Sequence, residues 1–492
     1  MDSVASERDM FFCPVRAQAI HHPDRAAVYL QHEAVLSYSA FDHIVSAVQR
    51  QLVQQVAPGD QVVIQLGNSL QQVILLLALW RCRAVVIPLN PAISAGATTH
   101  LAGKVDACFA FPESTADALQ VPLLKVTFPD HSAEWQREES QNLPIALGKE
   151  NQPVTLLFTS GSTGEPKVVA HSLRNYWASA LGTLAELPLQ ASDCWLLSLP
   201  LYHVGGLATL WRVWLAGAAL AIATDKAHQL AVYLQMPITH SSLVATQLQR
   251  LLTQGLSSDS GQLKTIILGG GPVPDSLLAA LPASIQSWMS YGLTEMTAMV
   301  TLGRWQGDSQ QAGKCLPHRQ IRLHNNGEIW VRGETLCLGY WQQGKIKSVT
   351  NKDGWFATRD IGQWHPVERS LRPKQLKVLG RLDAQFISGG ENIQPEAIES
   401  ILYQQPGVQR AWVCAIADDE FGQRPAAVVE VSAACHWQPT LWQRAITDQL
   451  PSFWVPDYWL EWPEDLQAEG LKVSRHQLQK WAELQLELIA KC

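Results

Sequence analysis

A chain of 492 residues is long enough for about three domain-sized units, and 47% hydrophobic against 16% charged residues leaves ample material for a buried core. The net charge of −7 offers no general attraction to nucleic acid or to an anionic membrane surface, so an anionic ligand has to be held by local cations, backbone N–H groups or a metal. The nine cysteines are scattered, odd in number and never spaced as CxxC, which argues against a disulfide framework or a zinc site and for reduced thiols in the cytoplasm.

The first residues, MDSVASERDM, lack the basic and apolar runs of a signal peptide. Val62–Leu66 reads as a short buried strand, Ser69–Arg81 as a helix and Ala84–Leu89 as a second strand. The most apolar run, Val73–Leu89, is broken by Arg81 and Arg83, so it predicts a buried helix and strand and no membrane insertion. Val154–Phe158 is another apolar strand. Trp195–Pro200, Leu207–Ala216 and Ala219–Ala223 repeat the strand, helix, strand rhythm, and Thr265–Leu268 ends in Gly269-Gly270-Gly271. This alternation predicts an α/β fold with several layers, its sheets covered by helices. From Glu328 the texture changes. Glu328–Arg332, Gly354–Thr358 and Leu376–Leu379 read as short strands between turns, then Gln394–Gln404 as a helix, with strands near Ala411–Ile416 and Ala426–Val431. The expected organisation is a large N-terminal α/β domain over 1–380, a hinge at 381–383 and a small mobile α+β domain over 384–492.

The strongest chemical signal is Thr159-Ser160-Gly161-Ser162-Thr163-Gly164-Glu165-Pro166-Lys167, placed directly after a buried strand. Glycines and small hydroxyl residues let backbone N–H groups approach phosphate oxygens closely, the hydroxyls add donors, and Lys167 adds a point charge. Gly339–Lys345 also fits GxxxxGK. Ile346 stands where a P-loop needs Ser or Thr for magnesium, and the stretch is turn-rich, so it is rejected as a phosphate loop.

Five further segments follow in order: Tyr291-Gly292-Leu293-Thr294-Glu295, Thr358-Arg359-Asp360, Gly380-Arg381-Leu382-Asp383, Ser388-Gly389-Gly390-Glu391-Asn392-Ile393 and Gly470-Leu471-Lys472-Val473-Ser474-Arg475. Together with the Thr159–Lys167 loop, this series resembles the adenylate-forming superfamily of acyl–CoA synthetases, luciferases and peptide-synthetase adenylation domains. The resemblance covers nearly the whole chain. It implies ATP, Mg2+ and coenzyme A as the small-molecule partners, with adenylation of a carboxylic acid followed by thioester formation. It assigns the nucleotide to Thr159–Gly164, Lys167, Gly270, Tyr291, Gly292, Thr294, Asp360 and Arg381. Asp360 has the two acceptor oxygens a ribose diol needs, and Glu295 is a hard oxygen ligand for Mg2+, with Thr163 beside it. Lys472 would offset charge on the α-phosphate, Ser388, Gly389 and Gly390 would border coenzyme A, and Asp383 would be the hinge.

Leu197–Gly206 resembles the superfamily segment that lines the acyl tunnel, with His203 as a catalytic-site wall and Gly205, Gly269 and Thr294 around the acid. Ser198–Gly206 with Trp211-Arg212, Tyr340-Trp341, Gly354–Asp360, Phe386–Pro395 and Glu420–Pro425 are similar to the branch that joins o-succinylbenzoate to coenzyme A in menaquinone biosynthesis. That acid has two carboxylates, only one of which reacts. The other needs a cation or several donors inside the tunnel, and Arg212 is the Arg nearest the acyl motif, with a surface ion pair as the alternative role. Two departures from the superfamily pattern are Val168 after Pro166-Lys167, where Gly is usual, and Arg359 in the usual Thr-Gly-Asp. Another aryl– or acyl–CoA ligase, a luciferase-like oxidoreductase and a non-catalytic adenylate-binding protein are the competing readings. A homo-oligomer is compatible with the sequence, which does not determine assembly.

Overall fold

The computed structural model describes residues 10–32, 35–129, 145–159, 166–223, 229–271, 273–365, 374–388, 391–418, 420–432, 435–463 and 475–490. The most apolar stretch folds as helix Leu70–Arg81 and strand Val85–Pro88. Ser69 caps the helix, its hydroxyl accepting from the Gln72 N–H at 3.2 Å, and every helical residue but Gln71 is buried. Among the described residues no helix is long and apolar enough to cross a membrane.

Strand Val85–Pro88 lies in a seven-stranded sheet ordered Lys345–Lys347, Gly339–Gln342, Lys167–Ser172, Pro153–Thr159, Val85–Pro88, Gln61–Ile64, Ala107–Phe111. A thirteen-stranded sheet stands beside it. Six of its strands run parallel: Gln286–Leu293, Thr265–Leu268, His240–Leu243, Cys194–Leu196, Ala219–Ile222 and Ala26–Leu30. Beyond Gln286–Leu293 the sheet turns antiparallel, through Ala298–Arg304, Gln311–Cys315, Gln375–Arg381, Phe356–His365 and Glu328–Gly333 to the edge strand Arg319–Leu323.

One core joins the two sheets, drawing Val62 and Val86 from the first and Val28 and Leu220 from the second. Helices Leu173–Glu186 and Val204–Ala216 pack against each other in this layer. Trp80, Trp195, Trp211 and Trp214 are all buried in this core. Trp211 stacks on Tyr176 with centroids 5.9 Å apart and lies 5.4 Å from Trp80. The layered α/β expectation holds, and the predicted elements match to within a few residues. Phe356–His365 is the main difference, because Gly354 at φ +75° sits in the turn before it and the strand runs on past Asp360. Gly339–Lys345 is a hairpin whose two turn residues, Gln343 and Gly344, have φ of +50° and +74°. That primed turn joins two strands and is no phosphate loop.

After strand Gln375–Arg381 the chain enters a different core built on Phe386, Ile393, Ile398, Leu402, Val413, Ala427, Trp442 and Ile446. Strands Val408–Asp418, Gly422–Val431 and Tyr458–Glu461 form its sheet, with helices Pro395–Tyr403 and Pro439–Thr447 against it.

Candidate active site

The carboxyl ends of the parallel strands carry several of the sequence-selected residues, as expected where helices cover such a sheet and loops carry the chemistry. Ser198 follows Cys194–Leu196, Gly269 follows Thr265–Leu268, and Thr294-Glu295 follows Gln286–Leu293. Gly269 has no side chain for a packing reason: a Cβ there would meet Ser290 Oγ, which donates to the Leu268 carbonyl at 3.0 Å. Gly270 turns at φ +82°, a conformation Gly adopts without strain.

Three groups converge around these ends. The first is built on Lys167, Tyr340 and Glu295. Thr159 and Lys167 are register partners on antiparallel strands. Lys167 Nζ lies 5.0 Å from the centre of the Tyr340 ring, and the Tyr340 hydroxyl donates to Glu295 Oε1 at 2.7 Å. The 3-10 turn Thr294–Met296 that carries Glu295 is tied to the neighbouring sheet, because the Thr294 carbonyl is 2.7 Å from His171 Nε2. Glu295 is thus a single positioned carboxylate. Among the described residues no cluster of three or more His, Cys, Asp or Glu could cage an ion. A lone hard-oxygen ligand fits a Mg2+ that arrives with phosphates and keeps its waters.

The second group surrounds Asp360. Tyr291 donates its hydroxyl to Asp360 Oδ2 at 2.6 Å, and Arg381 Nη1 donates to Oδ1 at 3.0 Å. Arg381 also grips Asp383 through Nε and Nη2, both at 2.9 Å. Burial raises the Asp360 pKa, a shift the Tyr291 and Arg381 hydrogen bonds only partly offset. Burial works the same way on Asp383, but there the paired Arg381 bonds win and the pKa is lowered. One guanidinium therefore links the candidate ribose carboxylate to the candidate hinge residue.

The third group is built on His203 and helix Val204–Ala216. His203 is exposed and precedes helix Val204–Ala216, its ring 4.6 Å from that of Tyr202. Gly205 and Arg212 are seven residues apart in the helix, hence on one face. Gly206 is required because a Cβ would fall on the Pro200 carbonyl. Arg212 is 3% exposed, its guanidinium 4.8 Å from the Trp195 ring centre, and its buried Nε has no hydrogen-bond partner. Among the described residues no carboxylate pairs with it. Burial pushes its pKa down to about 9, with the nearby Arg319 guanidinium adding to the depression. Such a cation is costly unless an anion is delivered to it.

The chain matches the description "AMP-binding enzyme" over residues 15–341. The chain belongs to the AMP-binding enzyme family. A 2-succinylbenzoate–CoA ligase of Salmonella typhimurium is 38% identical over 87% of this chain and 88% of its own. One from Escherichia coli is 36% identical over 88% and 90%. Among solved structures, an arginine-to-lysine variant of E. coli MenE with bound OSB-AMS superposes with a TM-score of 0.79 at 32% identity, covering 96% of this chain and 98% of that one.

Several residues at this family site were not singled out for a role by the motifs. Asn68 donates to the Leu197 and Leu199 carbonyls at 3.1 and 2.9 Å and accepts from the Leu201 N–H at 3.0 Å, pinning the loop after Cys194–Leu196 to the other sheet. His171 supports Thr294, and Tyr340 orients Glu295. Their partners are more than 40 residues away in sequence, so no local pattern could flag them. Ser388 is buried and faces Arg424 Nη1 at 3.4 Å. Ser160, Gly161, Ser162, Thr163, Gly164, Gly389, Gly390 and Lys472 lie outside the described residues.

His171 yields a pH prediction. Burial lowers its pKa to about 4, against the pull of the Thr294 carbonyl, and burial lowers that of His240 likewise to about 4. Between the ordinary histidine value and 4 the unfolded chain takes up protons that the folded chain refuses. Stability therefore falls as pH drops through that window, by up to about 3 kcal/mol for a fully buried imidazole. The melting temperature should decline from about pH 6.5 to 4.5, and His171→Gln should flatten the decline. A parent protein equally stable across that span refutes the assignment.

Proposed function

We infer that this chain is an AMP-forming 2-succinylbenzoate–CoA ligase acting in menaquinone biosynthesis in the cytoplasm. Family membership supports the adenylating chemistry, and the curated relatives carry that activity in their names. The observation that carries the acid specificity is Arg212, a buried guanidinium without a carboxylate partner among the described residues, nine positions beyond His203.

In the first half-reaction the succinyl carboxylate attacks the α-phosphorus of ATP and diphosphate leaves. Thr159 to Gly164 and Lys167 hold the phosphates, Tyr291, Gly292 and Gly270 border the adenine, and Asp360 with Arg381 takes the ribose. Glu295, with Thr163, would hold Mg2+, which supplies charge neutralisation on the phosphates when bound. His203, Gly205, Gly269 and Thr294 wall the acid, and Lys472 meets the α-phosphate. In the second half-reaction the coenzyme A thiol attacks the acyl carbonyl and AMP leaves. Ser388, Gly389 and Gly390 line the thiol's approach. The chain divides into 1–380 and 384–492 with Asp383 as the pivot between the two half-reactions. The separate core around Phe386, Val413 and Trp442 supports that division.

The test is thioester formation read by mass. With ATP, Mg2+ and coenzyme A, kcat/KM for o-succinylbenzoate should exceed that for benzoate, octanoate and phenylbutyrate. Any of these beating it by about tenfold would leave only the family chemistry standing.

A further inference from the structure

Glu328 has no expected contact with nucleotide or acid, yet its side chain sits beneath the nucleotide site. It is 8% exposed, with Oε2 accepting from Trp330 Nε1 at 2.9 Å and Oε1 accepting from the backbone N–H of Arg359 at 3.0 Å. Arg359 stands where the superfamily pattern has Gly, and its φ is +63°. An L side chain in that left-handed conformation is strained, so something must hold it there.

The strand pairing explains why the turn exists. Ala357 pairs with Trp330 and Ile361 with Glu328, so Thr358, Arg359 and Asp360 together face the single residue Ile329. This bulge removes the ladder partners of its own backbone. Side chains replace them: Glu328 accepts from the Arg359 N–H, and Thr358 Oγ1 accepts from the Asp360 N–H at 3.0 Å while donating to the Ile329 carbonyl at 2.8 Å. On the other flank Leu382 N donates to the Arg359 carbonyl at 2.7 Å. The outcome is the Asp360 carboxylate aimed at Tyr291 and Arg381. Bulges beside active sites commonly re-aim one side chain in this way.

We propose that Glu328 is a positioning residue for the nucleotide: its carboxylate clamps Arg359 in the left-handed turn and so aims Asp360 at the ribose. This rests on Asp360 being the ribose ligand.

The experiment measures diphosphate release and separates KM for ATP from KM for the acid in Glu328→Ala, Glu328→Gln, Arg359→Gly, the Glu328→Ala/Arg359→Gly double variant and Asp360→Ala. Glu328→Ala should raise KM for ATP by about tenfold to a hundredfold, the range for releasing one strained backbone conformation, and leave KM for the acid within about twofold. Glu328→Gln keeps one acceptor oxygen and should raise it by only about threefold to tenfold. In the Arg359→Gly background the Glu328→Ala penalty should shrink to about threefold or less, since Gly adopts positive φ without an anchor. An equal penalty in both backgrounds, or equal rises in both KM values, overturns the proposal. If Glu328→Ala does not fold, an unchanged KM for ATP in Glu328→Gln overturns it. Asp360→Ala with unaltered KM for ATP would defeat the ribose reading itself, whereas a normal Asp360→Ala loss without coupling defeats only the role of Glu328.

Discussion

Arg212→Met should reduce kcat/KM for o-succinylbenzoate by roughly 2–5 kcal/mol of transition-state stabilisation, the range for truncating one partner of a buried charge pair. Benzoylpropionate keeps the keto acid and lacks the ring carboxylate, so with it the same variant should lose little. Stability should move the other way. Arg212 is buried over Trp195 with an unpaired Nε and a second guanidinium, Arg319, nearby. An apolar side chain of similar length removes that uncompensated charge, and such replacements are often neutral or stabilising. Lost activity with a maintained or raised melting temperature is the signature of a residue kept for binding. Equal losses on both acids, or a marked drop in melting temperature, would make Arg212 a structural residue.

Lys472→Ala should slow adenylation by about 10²–10³ fold, the effect of removing one preorganised electrostatic contact, and spare thioester formation from pre-formed acyl-adenylate. The assignment comes from Gly470–Arg475, and Lys472 lies outside the described residues. The structure adds a reason to expect separable half-reactions. The proposed hinge residue Asp383 is gripped by Arg381, which also holds Asp360, so a rotation about 383 would rearrange bonds at the proposed ribose carboxylate. Asp383→Pro, which limits φ at the pivot, should show the opposite profile, with adenylation retained and thioester formation impaired. Diphosphate release and thioester mass time the two steps independently. Similar losses of both steps in Lys472→Ala would show that the lysine does not act on adenylation alone.

The sequence by itself determined the alternation of buried strands and helices, the order of the motifs and hence the family, since these depend on local periodicity and on residue types at short spacing. Thr265–Leu268 was legible to the residue for that reason: an apolar run closed by three glycines leaves little freedom. Arg359 was legible as a departure, but not its reason, because a positive φ is a property of the bulge opposite Ile329. Only the tertiary structure decided which distant residues hold the motifs in register. Asn68 reaches the Leu199 carbonyl, His171 the Thr294 carbonyl, Tyr340 the Glu295 carboxylate and Glu328 the Arg359 N–H. It also decided that Arg212 is buried among aromatic and cationic neighbours instead of paired at the surface. Hydrogen bonds between strands and loops far apart in sequence leave no periodic trace, and whether a charge is solvated or buried depends on what packs over it.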